Sequence, residues 1–294
     1  MTEPKVTSLS EKAMLVKLTT KRVNLTRRDD VAEAMIQQQL DDSSLTVLLK
    51  LFRDKHNPIN RIMKTVSEVY TYHRKNTLPY MDKGPRILPN AMYLEYTTEM
   101  RNKINQVDAM LNKYMYDYDQ YVQLDIQTRS RNNNARCKVD DYPTAEEFRS
   151  KLGHDLRFMP LPDRKHFLFD LSDADVANFT QAMQDVEATA RHDAINRMLE
   201  PLSHLIDKLN KPIGTDGAIF RDSAIENVVE GVEIARKLLM DATPEVSGTM
   251  EKLDEAISKF VNKKEWLRES PVVRLDAAKQ LDDIARQMSA FMGA

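Results

Sequence analysis

The chain has 294 residues, room for one large domain or two modest ones, and its 41% apolar and 30% charged content belongs to a folded protein rather than a disordered tail. A net charge of -2 excludes a globally basic nucleic-acid binder, and seven glycines argue against a sheet-rich or glycine-loop nucleotide fold. The single cysteine, Cys137, excludes an intramolecular disulfide, MTEPKVTSLSEK lacks a signal peptide's apolar run, and no apolar stretch approaches the roughly 20 residues of a membrane span, so a cytoplasmic protein with no membrane association is expected.

Residues 1–28 mix β-branched and basic residues without helical spacing and read as an extended arm. A short helix with an acidic start follows from Asp29. After Asn57-Pro58, Ile59, Ile62, Met63, Val66, Val69 and Tyr70 fall at helical spacing and predict a helix to about Asn76. LPYMDKGPRILPNAMYLEY, residues 78–96, then interrupts the helical pattern with three prolines and a glycine. Each proline lacks an amide donor and restricts the residue before it, and Asp82-Lys83-Gly84 is turn chemistry. The segment reads as a structural elbow, with Asn90 as N-cap of the next helix. A ligand loop using Lys83 and Arg86 is the weaker alternative.

That next helix carries the strongest signal. Tyr93, Tyr96, Met100, Ile104, Val107, Leu111, Tyr114, Tyr118 and Tyr121 are spaced 3, 4, 4, 3, 4, 3, 4 and 3, a near-heptad stripe that calls for a long helix packed along another helix of this chain or of a second subunit. Residues 127–141 are polar, Asn-rich and basic and read as a loop. YPTAEEF predicts a short helix, and residues 154–172 read as a β-hairpin. Ser172 with Asp175 caps a second long helix that Pro201 should kink or split. Three more helices follow, at about 221–240, 244–262 and 271–292, the last capped by Ser270. The expected fold is mainly α: elongated, coiled-coil-like helical hairpins with a small β-hairpin insertion. Its segments are 1–28 (arm), 29–126 (helical), 127–171 (basic loop and hairpin) and 172–294 (helical).

Chemistry is sparse. No P-loop or Rossmann fingerprint is present, and GTDG, residues 214–217, lacks the lysine and the preceding strand that a phosphate cradle needs. The six histidines form no HxxxH or HExxH pair; His154 and His166 facing each other across the hairpin would be a chance pairing. Cys137 has no positioned base, and Asp117 and Asp119, two apart, face different directions on a helix. The expectation is therefore a non-enzymatic protein without cofactor or metal. One constellation remains. Arg129, Arg131, Arg136 and Lys138 lie within ten residues free of acids, close to Tyr116, which falls off the heptad stripe. Basic residues beside a projecting aromatic are how non-specific single-strand binders hold phosphates and stack bases. Lys17, Lys21, Arg22, Arg27 and Arg28 would extend that surface. The bland alternative is a solvated basic loop with the tyrosines in the core.

LPYMDKGPRILPNAMYLEY, YPTAEEFRSKLGHDLRFMPLPD with LSDAD, and FRDSAIENVVEG together resemble an uncharacterised family of helical phage and mobile-element proteins, over about residues 45–290. Genes of that family often lie near those of MoxR-type AAA+ ATPases and von Willebrand A-domain proteins, so the resemblance implies an accessory or adaptor role and carries no functional residue with it. Two functions are expected from the whole reading: sequence-independent single-stranded DNA binding by a homo-oligomer, or service as an adaptor to a protein partner such as an ATPase or polymerase, or as a virion component, without nucleic acid.

Overall fold

The structure, a computed structural model, describes residues 9–40, 44–81, 84–131, 137–163, 172–215, 221–240, 242–261 and 264–292. It is mainly α with a small antiparallel sheet. In chain order the elements are α1 (Leu9–Lys12), β1 (Ala13–Lys21), β2 (Thr26–Arg28), α2 (Asp30–Leu40), β3 (Leu48–Lys50), α3 (Pro58–Lys75), β4 (Leu78–Pro79), β5 (Arg86–Pro89), α4 (Tyr93–Tyr116) and α5 (Tyr118–Arg131). They continue with α6 (Ala145–Ser150), β6 (Gly153–Pro160), α7 (Asp173–Asn210), α8 (Asp222–Leu238), α9 (Pro244–Val261), α10 (Lys264–Glu269) and α11 (Pro271–Ala290). Among the described residues no helix is long and apolar enough to cross a membrane. The chain forms two compact units, each assembled from separated stretches: Met1–Lys17, Arg74–Tyr96 and Arg157–Ala294 in one, Leu18–His73 and Thr97–Leu156 in the other.

The first unit is built on α7, α8, α9 and α11, whose apolar stripes meet in one core that includes Met198, Leu202, Val228, Leu253 and Leu281. Of the two outcomes expected at Pro201, the split does not occur: α7 runs unbroken for 38 residues with the proline inside it. Proline has no amide to offer the carbonyl of Arg197 four residues back, so that oxygen loses its helical partner. α8 closes over this spot through Gly231: a Cβ there would lie 2.7 Å from the Arg197 carbonyl oxygen and 3.0 Å from the Pro201 ring. The absence of a side chain is what permits the approach.

The proline-rich segment is a hairpin. β4 and β5 pair antiparallel, Leu78 opposite Ile87, and β5 pairs with β1 from Ala13 opposite Pro89. The sheet order is β4-β5-β1-β6. Gly84 supplies the positive φ of 119° expected of it, while Asp82 and Lys83 fall outside the described residues. Arg86 is occupied by Thr77, with its Nε 2.7 Å from the hydroxyl and its Nη2 2.7 Å from the carbonyl oxygen. Arg197 of α7 reaches the same carbonyl at 2.7 Å and also the Lys75 carbonyl. Asn90 does not cap a helix; it opens a 3-10 turn, Asn90–Met92, and its side-chain amide donates to the Glu11 carbonyl at 3.0 Å. The expected hairpin at 154–172 is represented by β6, the edge strand beside β1, and residues 164–171 lie outside the described ones.

In the second unit the heptad stripe is buried as its spacing predicts: Met100, Val107, Leu111 and Tyr114 of α4 and Tyr118 of α5 are all buried. The expected single helix is two, because the backbone turns at Asp117, whose amide bonds the Tyr114 carbonyl at 3.2 Å. Ile59, Ile62, Val66 and Val69 of α3 are buried as expected, while Tyr70 is exposed. Thr144 and Glu147 form a capping box on α6, with bonds of 3.2 and 3.1 Å.

Candidate functional site: a buried carboxylate hub and an inverted helix

α5 continues through residues expected to be loop, and this changes the fate of the basic cluster. Tyr118, Val122, Asp125 and Arg129 are buried along one face, spaced 4, 3 and 4, so the stripe simply runs on with an ion pair in it. Asp125 accepts four hydrogen bonds: from the Phe52 amide at 2.9 Å, the Arg53 amide at 3.1 Å, the Tyr142 hydroxyl at 2.6 Å and Arg129 Nε at 3.0 Å. Arg129 Nη2 also donates to the Lys50 carbonyl. The carboxylate thereby fixes Phe52 at a φ of 49°, uncommon for a bulky side chain. The Phe52 ring meets Tyr114, Tyr118, Tyr142 and Phe148 edge-on, at centroid distances from 5.2 to 6.4 Å. Burial opposes the Arg129 charge most strongly, yet its bond to Asp125 prevails and its proton is held more tightly than usual. Burial, then the bond to Asp125, pushes the Tyr142 phenol up. With a side chain 5% exposed, Arg129 does not meet a phosphate; the expected role is corrected to a structural one.

The other candidate residues are scattered in environment. Arg131 ends α5, and Arg136 lies outside the described residues. Lys138 is exposed, and its amide donates to Asp141 at 2.6 Å, opening the 3-10 turn Val139–Asp141. Cys137, expected in a flexible loop, is buried. Tyr116 is 91% exposed at the last residue of α4, off the stripe as its spacing implies. Of the N-terminal basic residues, Lys17, Lys21 and Arg22 are exposed, Arg27 pairs with Asp141 at 3.0 Å and Arg28 with Glu33. His154 is half-buried, its Nε2 3.2 Å from the Val66 carbonyl, and burial pushes its pKa down; His166 lies outside the described residues. Among the described residues no three His, Cys, Asp or Glu side chains gather as a metal ion would require.

The arrangement that stands out was not anticipated. α2 has the burial of an amphipathic helix reversed. Its one buried side chain is Glu33. Arg28 donates to that carboxylate from Nε at 2.8 Å and from Nη2, the Val47 amide donates at 3.2 Å and Gln37 at 3.3 Å. The Arg28 hydrogen bond holds the Glu33 carboxyl below the usual carboxylate range. Asp29 caps the helix through the Ala32 amide at 3.1 Å, and Gln37 donates to the Leu45 carbonyl at 2.7 Å. β2 and β3 flank the helix in sequence as an antiparallel pair, Arg27 opposite Leu49. Val31 and Met35 lie two residues before and after Glu33, roughly 200° around the helix in either direction, hence on the opposite face. They are 55% and 60% exposed, and Leu40 and Leu48 are exposed as well. Polar bonds hold α2 on its inner side and apolar side chains face outward.

Comparison with protein-family models, with curated protein sequences and with solved structures finds no match for this chain.

Proposed function

We propose that the protein is a non-enzymatic adaptor or assembly component that binds a protein partner through the outer face of α2. The reading is carried by the inversion of that helix. Solvating Val31 and Met35 forgoes roughly 1.5–3 kcal/mol per large apolar side chain, the amount full burial would contribute. A helix tethered by Glu33, Asp29 and Gln37 keeps that face available for a partner. The resemblance to mobile-element proteins encoded beside ATPases supports the same accessory role. A second reading, single-stranded nucleic-acid binding, is favoured by the 91% exposure of Tyr116, with Lys21, Arg22 and Lys138 among the exposed cations of its unit.

Photo-crosslinking in the native cell distinguishes them. A photoreactive residue at position 35 is expected to give a discrete protein adduct that Val31→Asp abolishes, while one at exposed Glu68 gives none. No adduct from position 35, together with a nucleic-acid adduct from position 116, would overturn the adaptor reading in favour of the second.

A further inference from the structure

His154, the second residue of β6, is secured through one ring nitrogen and has no partner at the other. Its Nε2 lies 3.2 Å from the carbonyl oxygen of Val66, a fully buried residue in the middle of α3. A carbonyl only accepts, so Nε2 carries the hydrogen and donates it. The carbonyl has two lone pairs, and the helical amide of Tyr70 takes only one of them. In the neutral ring Nδ1 is then a bare lone pair. It is buried and meets no donor among the described residues. The Thr20 hydroxyl, on the neighbouring strand β1, is buried and unpartnered as well, so it does not serve Nδ1.

A second ring proton suits this place badly. It turns Nδ1 into a donor that faces no acceptor, and it adds a charge where water does not reach that nitrogen. Two charges act on the ring: Asp108 of α4, which favours the proton, and Arg22, just past the end of β1, which opposes it. Arg149 of α6 already bonds Asp108 at 3.2 Å. Among the described residues α3 adds only the Val66 carbonyl. Asp155, next along β6, points to the other face of the strand. All of these residues belong to one compact unit.

We propose that His154 is a pH-sensitive latch: neutral, it fastens the start of β6 to α3, and protonated, it lets the strand go. Burial, the largest influence, holds the pKa of the latched ring below its ordinary value; Arg22 acts in the same direction, against the Val66 bond and Asp108. The open state therefore takes up the proton more readily than the latched one, and acid favours opening. The latch is intact above the ordinary histidine value of about 6.5 and weakens as pH falls through it. It loses nothing further once the latched ring is itself protonated. The device is separate from α2 and stands or falls independently of the adaptor reading.

Hydrogen exchange of the full chain at about pH 7 and about pH 5.5, above the range in which carboxylates titrate, tests it, read as protection factors so that the intrinsic exchange rate cancels. Protection of the Tyr70 amide and of residues 153–156 is expected to fall severalfold, with about eightfold as the ceiling that an ordinary value of about 6.5 sets. His154→Gln keeps an N–H donor and does not titrate, so its protection is expected to be the same at both pH values. An NMR titration of the His154 ring in the wild type does not depend on how the variant folds, and its midpoint is expected below about 6.5. Wild-type protection that is unchanged by pH, an equal response in His154→Gln, or a ring midpoint at or above about 6.5 overturns the proposal.

Discussion

Asp125→Ala would leave the Arg129 guanidinium buried without its counter-charge and free two amides that hold Phe52 and Arg53 in place. Breaking one side of a buried pair costs about 3–5 kcal/mol, so a large fall in the urea midpoint is expected. Tyr142→Phe removes one of the four donors to the same carboxylate and should cost only about 1 kcal/mol. A loss for Asp125→Ala no larger than for Tyr142→Phe would mean that the hub is solvated and not a keystone of its unit. The burial of Arg129 was legible in principle: Tyr118, Asp125 and Arg129 prolong the spacing of the heptad stripe, and an acid four residues before a base on that face is a pairing signal. Composition masked it, since an arginine among Ser and Asn reads as loop. Tyr116, one position that spacing did assign to the outside, is exposed for the same geometric reason.

Gly231 and Gly248 make a paired test at the level of helices, because both interrupt helices but only one touches a neighbour. Ala is worth up to about 1 kcal/mol over Gly in a helix interior. At Gly248 nothing lies within 4 Å of the added methyl, and Gly248→Ala should raise thermal stability by that order. At Gly231 the methyl meets a backbone oxygen at 2.7 Å, which cannot rotate away, so Gly231→Ala should lower stability by about 1–3 kcal/mol despite the better helix propensity. Equal effects at the two sites would contradict the account of how α8 packs at Pro201. Other elements were plain in the sequence. Ser172, Thr144 and Ser270 cap the helices that their patterns announced, with side-chain oxygens 3.2, 3.2 and 3.4 Å from the amides they accept from. α10 was missed, since six residues are too few to show a period.

For the whole molecule, the mainly α class follows from apolar spacing, a local property that a sequence displays directly. The sheet does not. β1 finds its partner in β5, with Ala13 opposite Pro89, and nothing in the period of either strand names the other. The same holds for the division into two units, whose stretches are interleaved along the chain. The inverted α2 was hidden for a further reason: Asp, Val, Ala, Glu, Ala, Met and Ile in succession suit either orientation of an amphipathic helix, and only the positions of Arg28 and the Val47 amide decide which side faces inward. That inversion is the claim on which the functional reading depends. Hydrogen exchange of the Val47 and α2 amides, compared among wild type, Val31→Ser/Met35→Ser and Glu33→Ala, tests it most directly. The double serine variant is expected to match wild type, within the ±0.5 kcal/mol typical of surface changes, while Glu33→Ala loses protection across the helix. Lost protection in the serine variant with none lost in Glu33→Ala would show an ordinary helix with its apolar face inward, and the account of α2 as a docking surface would fail.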